Sequence, residues 1–367
     1  MKSRFLLCTA AALAAAALFS GATCMASSDV PLVSARSAIL YDCGSGRVLY
    51  EKDAHSRQLI ASTTKIMTGL LVCERANLDD RVEIPPEAVG IEGSSLYLKA
   101  GETLTVRELL QGMMLHSGND AAMALAIYCA GTPEGFVDWM NEKAETLGLE
   151  QTRFANPHGL DDENNYSTAY DMAHLAAYAM ENPLFREVVS TKNAAISGRS
   201  LTNHNKLLWR CEGAVGIKTG YTRQAGRILV SAVEREGRRL VAVTMNAPSD
   251  WNDHMALMDY GFSAFETSTW IEQGEKLAIV PVVSGEIAAA TVSAAEPFSY
   301  ALLPQEEPEL RLLLPRMAYA PLQQGAQAGV AQIVLHGQVI GQVELIWDQS
   351  TEIEEKPGLF SRLFGGS

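Results

Sequence analysis

The chain has 367 residues, of which 47% are apolar and 20% charged, and its formal net charge is −14. That length fits two domains, and that balance supplies a large core and excludes an intrinsically disordered chain. An acidic surface repels nucleic acid and anionic membranes, so an anionic ligand must be caught by a local positive site.

The first 26 residues read as an export signal. Lys2 and Arg4 make a basic start, Phe5 to Phe19 is an alanine- and leucine-rich run, and "SGATCMA" supplies small residues for cleavage after about Ala22 to Ala26. The apolar run is short for a membrane-spanning helix, which needs about 20 residues. Then "ARSAILYDCGSGRVLYEKDAHSRQ" predicts two strands around a Gly-Ser-Gly turn. "STTKIMTGLLVCERA" has Ile66, Met67, Leu70 and Leu71 at helical spacing. Residues 103–115 predict a helix with Thr105 and Glu108 as a capping box, followed by the alanine-rich helix of "NDAAMALAIYCAG". "TPEGFVDWMNEKAETLG" opens with Pro133 and closes at Gly148, and "STAYDMAHLAAYAME" predicts a further helix stopped by Pro183.

The pattern changes with "AGRILVSAVEREGRRLVAVTMNA", two strands joined by a tight turn, and "DHMALMDYGFSAFE", a closing helix. A sheet flanked by a helical cluster, α/β or α+β, is expected over residues 30–266. From about Thr269, short apolar runs cut by Gly, Pro and Glu predict a small all-β domain over 270–348. In the tail, 349–367, Leu359, Phe360, Leu363 and Phe364 would share one helical face. Ordering about eight residues cancels most of what their burial would gain, so the tail is expected as a weak peripheral membrane foot or as a disordered end. The six cysteines, at 8, 24, 43, 73, 129 and 211, have no CxxC spacing, and free thiols are expected after the signal.

Three short elements carry chemistry. Ser62 and Lys65 in "IASTTKIMTG" stand at i and i+3, neighbours on one helix face. A serine hydroxyl is a poor nucleophile until a base takes its proton, and a lysine can be that base when burial or another cation lowers its pKa. The first-turn amides of a helix have no helical partner, so Ser62 N–H can also stabilise an oxyanion. The same letters equally describe an ordinary helix cap with a solvated lysine. In "HSGND", Ser117 and Asn119 can point a hydroxyl and an amide into one cleft, or simply cap the next helix. In "VGIKTGYT", Lys218 and Thr219 offer a cation and a hydroxyl to a carboxylate at the start of a strand, and Gly220 lets a ligand lie against the backbone. A lysine there also suits a solvated strand edge.

In this order the three match the SxxK, SxN and KTG set. The chain thereby resembles the low-molecular-mass penicillin-binding proteins that are D-alanyl-D-alanine carboxypeptidases. "LGLEQTRFANPHGLDDENNYSTAYDMAHLA", "GIKTGYTRQAGRILVSA" and, in the β-rich region, "APLQQGAQAGVAQIVLHGQVIG" extend the resemblance over nearly the whole mature chain. It implies a serine DD-peptidase domain followed by a β-sandwich. It implies that Ser62 is acylated, that Lys65 activates it, and that Ser117 relays a proton to the leaving D-alanine. Asn119 would hold the substrate amide, Lys218 and Thr219 the terminal carboxylate, and the N–H groups of Ser62 and Tyr221 the oxyanion. The implied partners are peptidoglycan stem peptides ending in D-alanyl-D-alanine, with β-lactams as covalent inhibitors, and the implied place is outside the cytoplasmic membrane. Many relatives carry an arginine ahead of the closing helix, where this chain has "PSDWNDHM"; Arg223 and Arg227 lie nearby in sequence but are unassigned.

Two alternatives are a class A-like β-lactamase and a non-catalytic muropeptide- or β-lactam-binding module. Against the first, "EQTRFANPHGL" has no ExxLN pattern and the β region has no place in such an enzyme. Against the second, Ser62, Lys65 and Lys218 are all retained. His116 is expected to pack or cap, and His158 to order a loop. With no HExxH, no clustered His/Cys spacing and no phosphate-binding glycine loop, neither metal nor cofactor is expected.

Overall fold

The computed structural model describes residues 29–355. The expected signal, Cys8, Cys24 and residues 356–367 of the tail lie outside the described residues.

Helix α1 (Lys65–Arg75) is buried almost all round, from Lys65 through Cys73. A helix apolar on every side belongs at the centre of a cluster, and α1 sits among α2 (Val106–His116), α3 (Asn119–Ala130), α4 (Pro133–Thr146) and α5 (Ala169–Ala179). Gly69 lets α6 (Pro183–Ser190) approach, since a Cβ there would stand 3.1 Å from the Phe185 ring. The Thr105–Glu108 capping box forms as expected, but the helix starts at Val106, because Thr103–Thr105 pairs as a strand with Arg81–Glu83. Pro183, expected as a stop, is also the start of α6, where its missing N–H costs nothing.

Beside the helices lies a five-stranded antiparallel sheet in the order 48–52, 37–42, 238–245, 226–235, 214–222. Ile228, Val230, Val241 and Val243 face the helical cluster. Val233, Leu240 and Ala242 face α8 (Asp250–Ala264) on the other side. The short helix α7 (Leu207–Arg210) precedes the edge strand 214–222. Lys218 to Gly220 fall in the middle of that strand and not at its start, because pairing with 226–235 runs from Ala214 to Thr222.

The C-terminal region is all β: a six-stranded sheet in the order 309–313, 327–335, 338–347, 289–294, 276–283, 318–319, plus the pair 266–271 and 298–302. Val292, Ile333, Val343 and Leu345 are at its core. Arg47, from the first turn of the chain, reaches across to it. Both terminal nitrogens of Arg47 hold the Glu306 carboxylate at 2.7 Å, and the guanidinium lies 5.0 and 5.3 Å from the Phe265 and Tyr300 rings. The hydrogen bond from Arg47 holds the Glu306 carboxyl down at about 2. A carboxyl with a depressed pKa stabilises the fold above its ordinary value, and that contribution drains away as pH falls through about 2. Arg47→Ala is expected to cost on the order of 3 kcal/mol. In scanning calorimetry it should separate the unfolding of the β domain from the rest, and acidification of the native protein through about pH 2 should do the same. One unchanged cooperative transition in the variant would remove the pair from this role.

Candidate active site

The cleft opens between the helical cluster and the edge strand 214–222, with a volume of about 860 Å³. Ser62, Ser117, Thr219, Gly220 and Tyr221 line it, while Lys65, Asn119 and Lys218 are buried beneath.

Ser62 stands in a 3₁₀ turn, Ala61–Thr64, that runs into α1. Ala61 has a φ of +45°, a conformation that costs a side-chain-bearing residue energy and turns the serine toward the cleft. Two glycines make room for this turn. Gly159, at φ +89°, lies so near that a Cβ would overlap the Ala61 carbonyl, and a Cβ on Gly220 would be 3.3 Å from Ser62 N. The neighbour that Gly220 admits is thus the nucleophile's own backbone, besides any ligand. Loop 156–159 is tied to α1 by Thr68, whose hydroxyl donates to Pro157 O at 2.7 Å.

Lys65 is 0% exposed. Its Nζ lies 3.1 Å from Ser62 Oγ, donates to Asn119 Oδ1 at 2.7 Å, and also bonds the His158 carbonyl. Burial first, and then the Lys218 charge, push its pKa well below the ordinary lysine value. A neutral amine has two hydrogens and one lone pair. Here the two hydrogens meet Asn119 and His158, and the lone pair is left for the Ser62 hydroxyl.

Ser117 closes α2 in the left-handed conformation, at φ +66°. Its hydroxyl accepts from Lys218 Nζ at 3.1 Å. Lys218 also donates to Thr219 O at 2.9 Å, and burial lowers its pKa to about 7. Asn119 begins α3, and its Nδ2 donates to Glu92 O at 2.6 Å. The structure therefore gathers every residue singled out by the three motifs, with the side chain of Tyr221 largely exposed.

His158 orders its loop: its carbonyl serves Lys65 and its Nδ1 accepts from Leu160 N at 3.2 Å. His116 packs on His204 with ring centroids 4.9 Å apart. Cys43, Cys73, Cys129 and Cys211 are free thiols, with burial raising each pKa. Sequence reasoning missed Asp120. Its buried carboxylate accepts from the N–H groups of Leu96 and Leu98 and from the Ser95 hydroxyl, which fixes the loop that holds Asn119. The only signal in the sequence was an acid in the first turn of a buried helix.

A model of the D-alanyl-D-alanine carboxypeptidase family matches residues 24–249, and a model of the penicillin-binding protein 5 C-terminal domain matches 265–352. D-alanyl-D-alanine carboxypeptidase DacF of Bacillus subtilis (strain 168) is 33% identical over 324 residues, 84% of this chain and 83% of the relative. DacC of Escherichia coli (strain K12) is 34% identical over 356 residues, 92% of this chain and 88% of the relative. The crystal structure of penicillin binding protein 5 from Haemophilus influenzae superposes with a TM-score of 0.78 at 30% identity, covering 88% of this chain and 99% of that one. The class is that of the penicillin-binding serine peptidases. Within it, the chain belongs to the D-alanyl-D-alanine carboxypeptidase family.

Proposed function

We propose that this protein removes the terminal D-alanine from peptidoglycan stem peptides through an acyl-enzyme on Ser62, and is acylated there by β-lactams. One observation carries the reading: the buried Lys65 nitrogen, which bonds Asn119 Oδ1 and the His158 carbonyl, lies 3.1 Å from the Ser62 hydroxyl.

Lys65 takes the Ser62 proton as Oγ bonds the carbonyl carbon between the two D-alanines. The oxyanion that forms is received by the backbone N–H groups of Ser62 and Tyr221. Collapse breaks the C–N bond, and the leaving amine takes a proton through Ser117, which Lys218 holds. Asn119 has one Nδ2 hydrogen left for the substrate amide. Water then cleaves the ester and restores Ser62. In this reading residues 1–26 carry the chain out of the cytoplasm, residues 30–266 are the catalytic domain, and 270–348 the β domain.

Lys65 must be neutral to accept the proton, so acylation rises with pH through its depressed pKa. Lys218 must be charged to hold a carboxylate, so kcat/KM falls again as pH rises through about 7. Bound carboxylate stabilises that charge, so the alkaline limb of kcat lies higher than that of kcat/KM. A pH–rate profile that rises with no alkaline fall would deny Lys218 this part. Intact-mass spectrometry of the exported protein with penicillin should show a one-to-one adduct, on a chain starting after about Ala22 to Ala26. Ser62→Ala should lose the adduct and at least about 10⁴-fold in kcat. D-Alanine release that survives Ser62→Ala would overturn the reading, and rapid destruction of the penicillin would point to a β-lactamase instead.

A further inference from the structure

The acidic chain needs a cation of its own at any site for an anion, and the lysine of the KTG element is only partly available. Lys218 is 1% exposed and already bonds Ser117 and the Thr219 carbonyl. Burial lowers its pKa to about 7, which disfavours the charged form that an anion needs.

Two further cations line the cleft, Lys206 on the segment before α7 and Arg227, and of the two Arg227 lies on the strand paired with the KTG strand. Arg227 stands opposite Tyr221 in the pairing of strands 214–222 and 226–235. Directly paired residues point to the same face, and so do residues two apart, so Arg227 shares a face with Tyr221 and Thr219. Its Nη2 donates to both carboxylate oxygens of Asp250, at 2.8 and 2.9 Å. The guanidinium also lies 5.9 Å from the Trp251 ring, within reach of cation–π attraction. Asp250 is 4% exposed and Arg227 is 44% exposed. The pair is thus a fixed base carrying a head that faces the cleft.

Asp250 does not cancel that head. It stands in the first turn of the 15-residue helix α8 and accepts from Trp251 N at 2.9 Å, where the helix N-terminus offsets its charge. Among the described residues, Nε and Nη1 of Arg227 have no protein partner. A guanidinium keeps its charge across the working pH range, and its fork matches a carboxylate. Arg223, the other arginine near the motif, does not line the cleft.

We propose that Arg227, anchored by Asp250 and Trp251, receives the free terminal carboxylate of the substrate and sets the preference for a chain end over an internal peptide bond. This rests on the carboxypeptidase reading above and extends its carboxylate site beyond Lys218 and Thr219. The chemistry recognised is a D-amino acid carboxylate leaving with the product.

The test compares kcat/KM for an acyl-D-alanyl-D-alanine peptide and for its C-terminal amide, in wild type, Arg227→Ala and Arg227→Lys. Arg227→Ala should lower the value for the free acid by roughly 10- to 100-fold and change the amide little, so the acid-to-amide ratio collapses. Arg227→Lys should recover part of the ratio. Equal losses on both substrates would mean a structural role and overturn the proposal, as would an unchanged ratio. Should Arg227→Ala fail to fold with Asp250 unpaired, the double variant Arg227→Ala/Asp250→Asn removes both charges, and the same two outcomes decide. A wild type that releases no D-alanine would overturn the carboxypeptidase reading together with this one. A wild type that does, with an unchanged ratio in the variant, would overturn this one alone.

Discussion

The exclusion of water from the Lys65 amine is the constraint on which the rest of the site depends. An ammonium taken out of water costs several kcal/mol unless it is paired, and no carboxylate is bonded to this one. Losing the proton is the cheaper course. Lys218 adds to the pressure, since a second nearby cation further disfavours charge on the first. The two lysines therefore divide the work: one is pushed to act as a base, and the other stays near its titration point beside Ser117.

Holding that arrangement strains the backbone. Ala61 and Ser117 both occupy the left-handed region, at a cost of about 1–3 kcal/mol each. Such strain persists only where packing fixes it. Here α1 is buried along nearly its whole length, Thr68 fastens loop 156–159 to it, and Gly159 and Gly220 leave room for the turn. The deepest packing of the domain thus lies directly behind the serine, and stability and chemistry draw on the same residues.

Local rules made most of the catalytic body legible in the sequence. The spacing of Ile66, Met67, Leu70 and Leu71 marked α1, the Thr105–Glu108 box marked α2, and the tight turn after Arg235 marked the central hairpin. The three motifs named the residues that the fold then gathers around one cleft. What stayed hidden has no local period. Arg47 and Glu306 are 259 positions apart, and Arg227 meets Asp250 only because a strand end lies over a helix start. Asp120 looks like any first-turn acid until the loop it holds is seen. The motif alone puts Lys218 at a strand start, because the partner strand, which decides where pairing begins, lies beyond the motif.

The central claim is that Lys65 rests as a neutral base in the free enzyme. Titration of its Nζ by ¹⁵N NMR, with the resonance identified by its loss in Lys65→Ala, tests that most directly. The account predicts a transition well below the ordinary lysine value, moving upward when Lys218→Ala removes the neighbouring charge. A transition at the ordinary lysine value would contradict it, because the amine would then be an ammonium with no lone pair for Ser62.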